Sequence, residues 1–200
     1  REALRSLAER LGFDAATPSP RSTEYLVRVA VADGLAALEQ NPNAVGWYDL
    51  KTRQALAIMS LVHPELATDP NAKLAFVWAM AVTSNGLKVG KNFEIAEQVY
   101  RRFKAEGRMP PDAGIGTAGE AINKSLVLFD TLREAWGIEA LRKFMLTDFT
   151  VAEITAIDPE LKPGGEHADV TVKGAAILGP KIGNGFFSNL YGNFGSLTMD

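Results

Sequence analysis

The run Lys173-Gly174-Ala175-Ala176-Ile177-Leu178-Gly179-Pro180-Lys181-Ile182-Gly183-Asn184-Gly185-Phe186-Phe187 is where residue types and spacing could do chemistry. It reads as a short helical turn, a tight hairpin at Leu178-Gly179 and a helix beginning at Pro180. Proline suits a first helical position, since its missing N–H would have no intrahelical partner and its φ is already helical. Such a start presents backbone amides and the positive end of a dipole, next to a glycine that admits close approach. Leu178, Gly179, Pro180, Ile182 and Gly183 therefore form a candidate phosphate grip. Lys181, in its first turn, reads as a phosphate contact or as a solvated lysine.

Other side chains are less specific. Lys88, Lys91, Arg101, Arg102, Lys104 and Arg108 stand among Glu94, Glu97 and Glu106, a pattern that fits the wet face of a helix or a nucleic-acid contact. Asn85 beside Gly86 has the composition of a turn or helix C-cap. His63 and His167 have no ligand spacing around them and read as structural or solvent-exposed; no metal site and no cofactor are expected. The absence of cysteine excludes disulfides, cysteine-ligated zinc and a four-cysteine iron–sulfur cluster.

The elements that must position these residues are helices. Ala3–Leu11 reads as a short amphipathic helix, followed by a Pro/Ser linker, so residues 1–22 form an N-terminal helix and linker and 23–200 the main domain. Thr23 is a candidate cap for the next helix, which carries Leu26, Val29, Ala30, Ala32, Leu35 and Leu38 at helical spacing. Asp49–Val62 follows, with Leu50, Ala55, Ile58, Met59 and Val62 as its expected buried stripe. Asn71–Ser84, opening after Asp69-Pro70, is apolar nearly all round and is the expected core helix. Val89–Glu106 is amphipathic and stops at Gly107. Helices are also expected at Ala118–Trp136 and Ile138–Leu146, and at Thr150–Ile157 behind a Thr150/Glu153 capping box. Val170-Thr171-Val172 is strand-like but too short and isolated to imply a sheet. Trp47, Trp78 and Trp136 read as core. The class is all-α.

The hairpin Ile177-Leu178-Gly179-Pro180-Lys181-Ile182-Gly183-Asn184 resembles that of the helix-hairpin-helix DNA glycosylases, whose members read Gly-Val-Gly-x-Lys-Thr-Ala-Asn or similar. Lys181 takes the register of the family's Schiff-base lysine, and Asp200, nineteen residues on, falls where its catalytic aspartate follows. Upstream, Ala81-Val82-Thr83-Ser84-Asn85 and Asn92 are similar to the family's buried helix ending in Leu-Ser-Ala-Gln-Thr. Asn85 there stands for the glutamine that fills the gap left by an extruded base. The chain departs from the pattern at Ile177, at Ile182-Gly183 and at Asn85.

The resemblance implies a helical glycosylase-like domain that binds double-stranded DNA with one base extruded. Lys181 and Asp200 are the implied catalytic pair; Leu178, Gly179, Pro180, Ile182, Gly183, Asn85, Lys88 and Lys91 are the implied DNA contacts. The implied activity is an N-glycosylase, with or without lyase activity. Two other readings stay open: an enzyme of DNA base hypermodification of the kind found in phages, and a DNA-binding module without catalysis. Extrusion of a base costs a few kcal/mol and demands a wedge and a pocket.

With 46% hydrophobic and 22% charged residues the composition is that of one packed domain. A net charge of −3 does not advertise DNA binding, so the cations must act locally. No membrane span or signal peptide is read, and a cytoplasmic location is expected. The start without Met and the stop at Asp200 suggest a longer natural protein cut at both ends.

Overall fold

A computed structural model describes residues 23–41, 47–84, 87–114, 119–157 and 165–192. They are helical almost throughout: α1 (Thr23–Gln40), α2 (Trp47–Val62), α3 (Glu65–Thr68), α4 (Pro70–Val82), α5 (Val89–Glu106), α6 (Glu120–Trp136), α7 (Ile138–Leu146), α8 (Val151–Ile157) and α9 (Ser188–Leu190). Shorter 3-10 turns and one wide helix, Pro180–Phe187, complete the set. The fold is all-α, and no described helix is long and apolar enough to cross a membrane. The expected helix at Ala3–Leu11 and its linker lie outside the described residues.

The chain forms two compact units, residues 1–50 and 51–200, and the division falls within α2. In the first unit, α1 spans Thr23–Gln40, but Leu35 and Leu38 are exposed, and so is Val31. In α2 the expected buried stripe fails in the same way: Leu50, Ile58 and Val62 are more than half exposed and Leu61 is 83% exposed, whereas Thr52 is buried. A helical period shows that apolar residues share a side. It does not supply a surface for that side to pack on.

The second unit is built around α4. Asp69 caps it by accepting the Asn71 N–H at 2.8 Å, and Pro70 occupies its first turn. From Leu74 to Val82 every residue is buried, because α5, α6, α7 and the wide helix pack around it. Phe76 meets the Tyr100 ring edge-on at 5.6 Å, and Trp78 meets Phe129 at 5.2 Å while its indole N–H donates to the Ser125 carbonyl. Trp78 is thus core, as its surroundings in sequence suggest, whereas Trp136 is 39% exposed at the end of α6, packed on Phe144.

At the junction of α4 and α5 a polar contact is sealed inside. Thr83 Oγ1 lies 2.8 Å from the Ala79 carbonyl and 2.6 Å from Asn92 Oδ1, sharing one proton between them. Asn92 in turn donates to the Met80 carbonyl at 3.1 Å. Buried carbonyls at a helix C-terminus need donors, and Asn92 brings one from the first turn of the next helix.

The strand-like run has a partner after all. β1 (Asp148–Thr150) pairs antiparallel with β2 (Thr171–Lys173), Phe149 opposite Val172. The sequence conceals this because three-residue strands show no alternation long enough to read. Beyond β1, Thr150 and Glu153 form the capping box: the Thr150 N–H donates to Glu153 at 2.7 Å and the Glu153 N–H to Thr150 Oγ1 at 3.2 Å.

Candidate nucleic-acid interface

The hairpin is assembled from backbone upward. A 3-10 turn, Gly174–Leu178, leads to Gly179 at φ 92° and ψ 160°, a conformation that side chains with a Cβ avoid, and the wide helix follows at Pro180. The Gly179 N–H donates to the Ala176 carbonyl at 2.8 Å, closing the turn. The second arm is π-helical rather than α-helical: the Ser188 N–H reaches back five residues to the Gly183 carbonyl. Gly183 and Gly185 are both buried in this wider coil.

Two glycines set how close the hairpin approaches. A Cβ on Gly183 would lie 1.6 Å from the Ala175 carbonyl oxygen of the opposing arm, and one on Gly174 would lie 2.1 Å from the Phe144 carbonyl of α7. The Asn184 side chain accepts the Lys173 N–H at 3.3 Å, fastening the arm to β2, and Ser188 Oγ donates to the Gly183 carbonyl at 3.2 Å. Phe187, fully buried, anchors the far end and stacks on Tyr191 at 5.1 Å.

The candidate phosphate residues divide accordingly. Pro180 and Lys181 are exposed at the tip; Leu178, Gly179 and Ile182 are half-buried; Gly183 is buried and its N–H is taken by the Gly179 carbonyl at 2.9 Å. Gly183 therefore works in packing. The Lys181 ammonium lies 5.9 Å from the centre of the Phe186 ring, a cation–π distance.

Of the other candidates, Lys88 is exposed immediately before α5 and has no ion-pair partner among the described residues. Lys91 is exposed and paired with Glu94 at 2.9 Å. Asn85 and Asp200 lie outside the described residues. The remaining α5 cations are largely matched: Arg101 pairs with Glu97, Arg102 with Glu106 and the Asp112 carbonyl, and Lys104 with Glu65. Matched charges on an exposed face offer little net field to a phosphate backbone.

A polar cluster invisible in the sequence lies between α3 and α5. His63 is buried, its Nε2 3.1 Å from Glu97, its Nδ1 3.7 Å from Glu65, and its ring edge-on to Tyr100. The Tyr100 hydroxyl donates to Glu65 at 3.2 Å, and burial pushes its ionisation up. The Lys104 hydrogen bond holds the Glu65 carboxyl below its ordinary value. His167 is exposed. Among the described residues no three His, Asp or Glu side chains converge as metal ligands would.

No family model, no curated protein and no solved structure matches this chain.

Proposed function

We propose that this chain is a DNA-binding protein of the helix-hairpin-helix glycosylase type. In this reading the hairpin grips a backbone phosphate, and Lys181, with Asp200, acts on an extruded nucleotide. One observation carries it: a hairpin locked by Gly183 against Ala175 holds Pro180 and Lys181 exposed together at a helix start. A pre-organised tip suits phosphate, because little ordering entropy remains to be lost when the anion arrives.

The chemistry follows from an oxocarbenium-like sugar. The Lys181 amine forms a bond to C1′ as the N-glycosidic bond breaks; the base leaves with the electron pair and takes up a proton, while the Asp200 carboxylate stabilises the sugar cation. Ring opening then gives an iminium linkage between enzyme and DNA, which borohydride reduces to a stable amine.

Borohydride trapping on duplexes that carry damaged or modified bases tests this. The chain is expected to form a covalent adduct that Lys181→Ala abolishes, and Asp200→Asn is expected to slow base release. No adduct and no released base across such a panel removes the catalytic half of the proposal. The exposure of Lys181 favours a second reading, a binding module in which the hairpin amides hold the phosphate and the lysine does no chemistry. Salt-sensitive duplex binding that survives both substitutions, without cleavage, selects it.

A further inference from the structure

Lys181 and Phe186 stand five residues apart in the wide helix Pro180–Phe187. In an α-helix, residues at that spacing point roughly 140° apart around the axis and face away from each other. A π-helix closes its hydrogen bonds over five residues, as the Ser188 N–H does on the Gly183 carbonyl, and so brings such pairs onto one side. The Lys181 ammonium accordingly lies 5.9 Å from the centre of the Phe186 ring.

The two side chains are held differently. Phe186 is 7% exposed, so packing fixes its ring, whereas Lys181 is exposed on a four-carbon stem with many rotamers. A cation is attracted to the face of an aromatic ring. A fixed ring therefore narrows where the charge of the lysine can be. A group already ordered loses less freedom when its ligand arrives.

We propose that Phe186 is a positioning residue for Lys181: its ring holds the ammonium at the hairpin tip, where it meets the DNA strand. This role rests on the reading of the hairpin as a DNA grip. Phe186 is buried and acts on DNA only through the lysine, to which the five-residue spacing of the coil joins it. Removing the ring leaves the charge in place but less well aimed, so affinity falls while the number of phosphates neutralised does not.

A double-variant cycle on the whole chain tests this, with a plain DNA duplex as probe and fluorescence anisotropy at several salt concentrations as readout. Phe186→Leu keeps an apolar side chain and removes the ring. It is expected to weaken binding about threefold with the salt slope unchanged, and to have no further effect in a Lys181→Ala background. Phe186→Tyr, which keeps the ring, is expected to bind as the wild type does. In the free chain, proton NMR should find the Lys181 Cε protons displaced upfield by the ring, a displacement lost in Phe186→Leu. Affinity unchanged in Phe186→Leu, equal weakening with and without Lys181, or no upfield displacement in the wild type overturns the proposal. A wild-type chain that shows the displacement but binds no duplex overturns the DNA reading itself, and this role with it. Should Phe186→Leu fail to fold, Phe186→Met takes its place in the cycle.

Discussion

Gly183 faces Ala175 across the hairpin so closely that a single added methyl group would overlap the Ala175 carbonyl oxygen, at 1.6 Å. The opposing atom is backbone, so nothing can swing aside. Gly183→Ala is therefore expected to cost about 3 kcal/mol or more, at the upper end of overpacking effects. Urea denaturation checks it, with Gly90→Ala in α5 as control: a Cβ there meets nothing within 4 Å, and the substitution should be neutral or slightly stabilising.

Gly179 turns the hairpin in a backbone conformation at φ 92°. Replacement by Ala should cost about 2 kcal/mol through strain alone, since a Cβ there meets nothing within 4 Å. The same variant should lose duplex binding even under conditions where circular dichroism shows it folded. Retained affinity in a folded Gly179→Ala chain would show that the tip does not hold the phosphate.

Lys181 projects from the tip, and its contribution to DNA binding is measurable as a salt slope. If its ammonium meets a phosphate, Lys181→Ala should weaken binding uniformly across duplex sequences and reduce the log–log salt slope by about 1. Fluorescence anisotropy at several ionic strengths reads both. Lys91→Ala, whose cation is already matched by Glu94, should change the slope less.

The Thr83–Asn92 contact joins the end of α4 to the start of α5 inside the core. Asn92→Ala strands the Met80 carbonyl and is expected to destabilise by about 2 kcal/mol, the cost of a buried group left without its partner. Thr83→Val and the double variant complete a cycle, in which coupling of the two side chains should make the losses less than additive.

Glu65 is held below its ordinary value of 4.5 chiefly by the Lys104 hydrogen bond. A carboxylate with a lowered folded pKa adds stability that is full above the unfolded value and disappears as pH falls through the folded one. Lys104→Met should thus be less stable than the wild type at neutral pH, by no more than about 0.5 kcal/mol for so exposed a pair. The difference should vanish on acidification, as followed by thermal denaturation against pH.

Much of this molecule was written locally. The limits of α5 match its apolar period and its Gly107 stop, Gly137 separates α6 from α7, Asp69-Pro70 marks the start of α4, and Thr150/Glu153 forms the capping box of α8, because caps and periodic faces involve residues within one or two turns. The run from Leu74 to Val82 announces the core by being apolar on every side, and only a surrounded helix can be so. The turn at Leu178-Gly179 and the helix start at Pro180 were legible for the same local reason.

What the tertiary structure alone decided depends on residues brought together from distant segments. The sequence offers no means of knowing that Ala175 presses on Gly183 and turns it from a phosphate contact into a packing residue, or that the second arm widens into a π-helix. Nor does it tell that Ile58 and Leu61 stay exposed while Thr52 is covered, or that Glu65, Asp69, Tyr100 and Arg133 line one cleft. Period and capping are properties of one helix, but burial, close approach and cavities belong to pairs of elements, and their free energies appear only when the second element is in place.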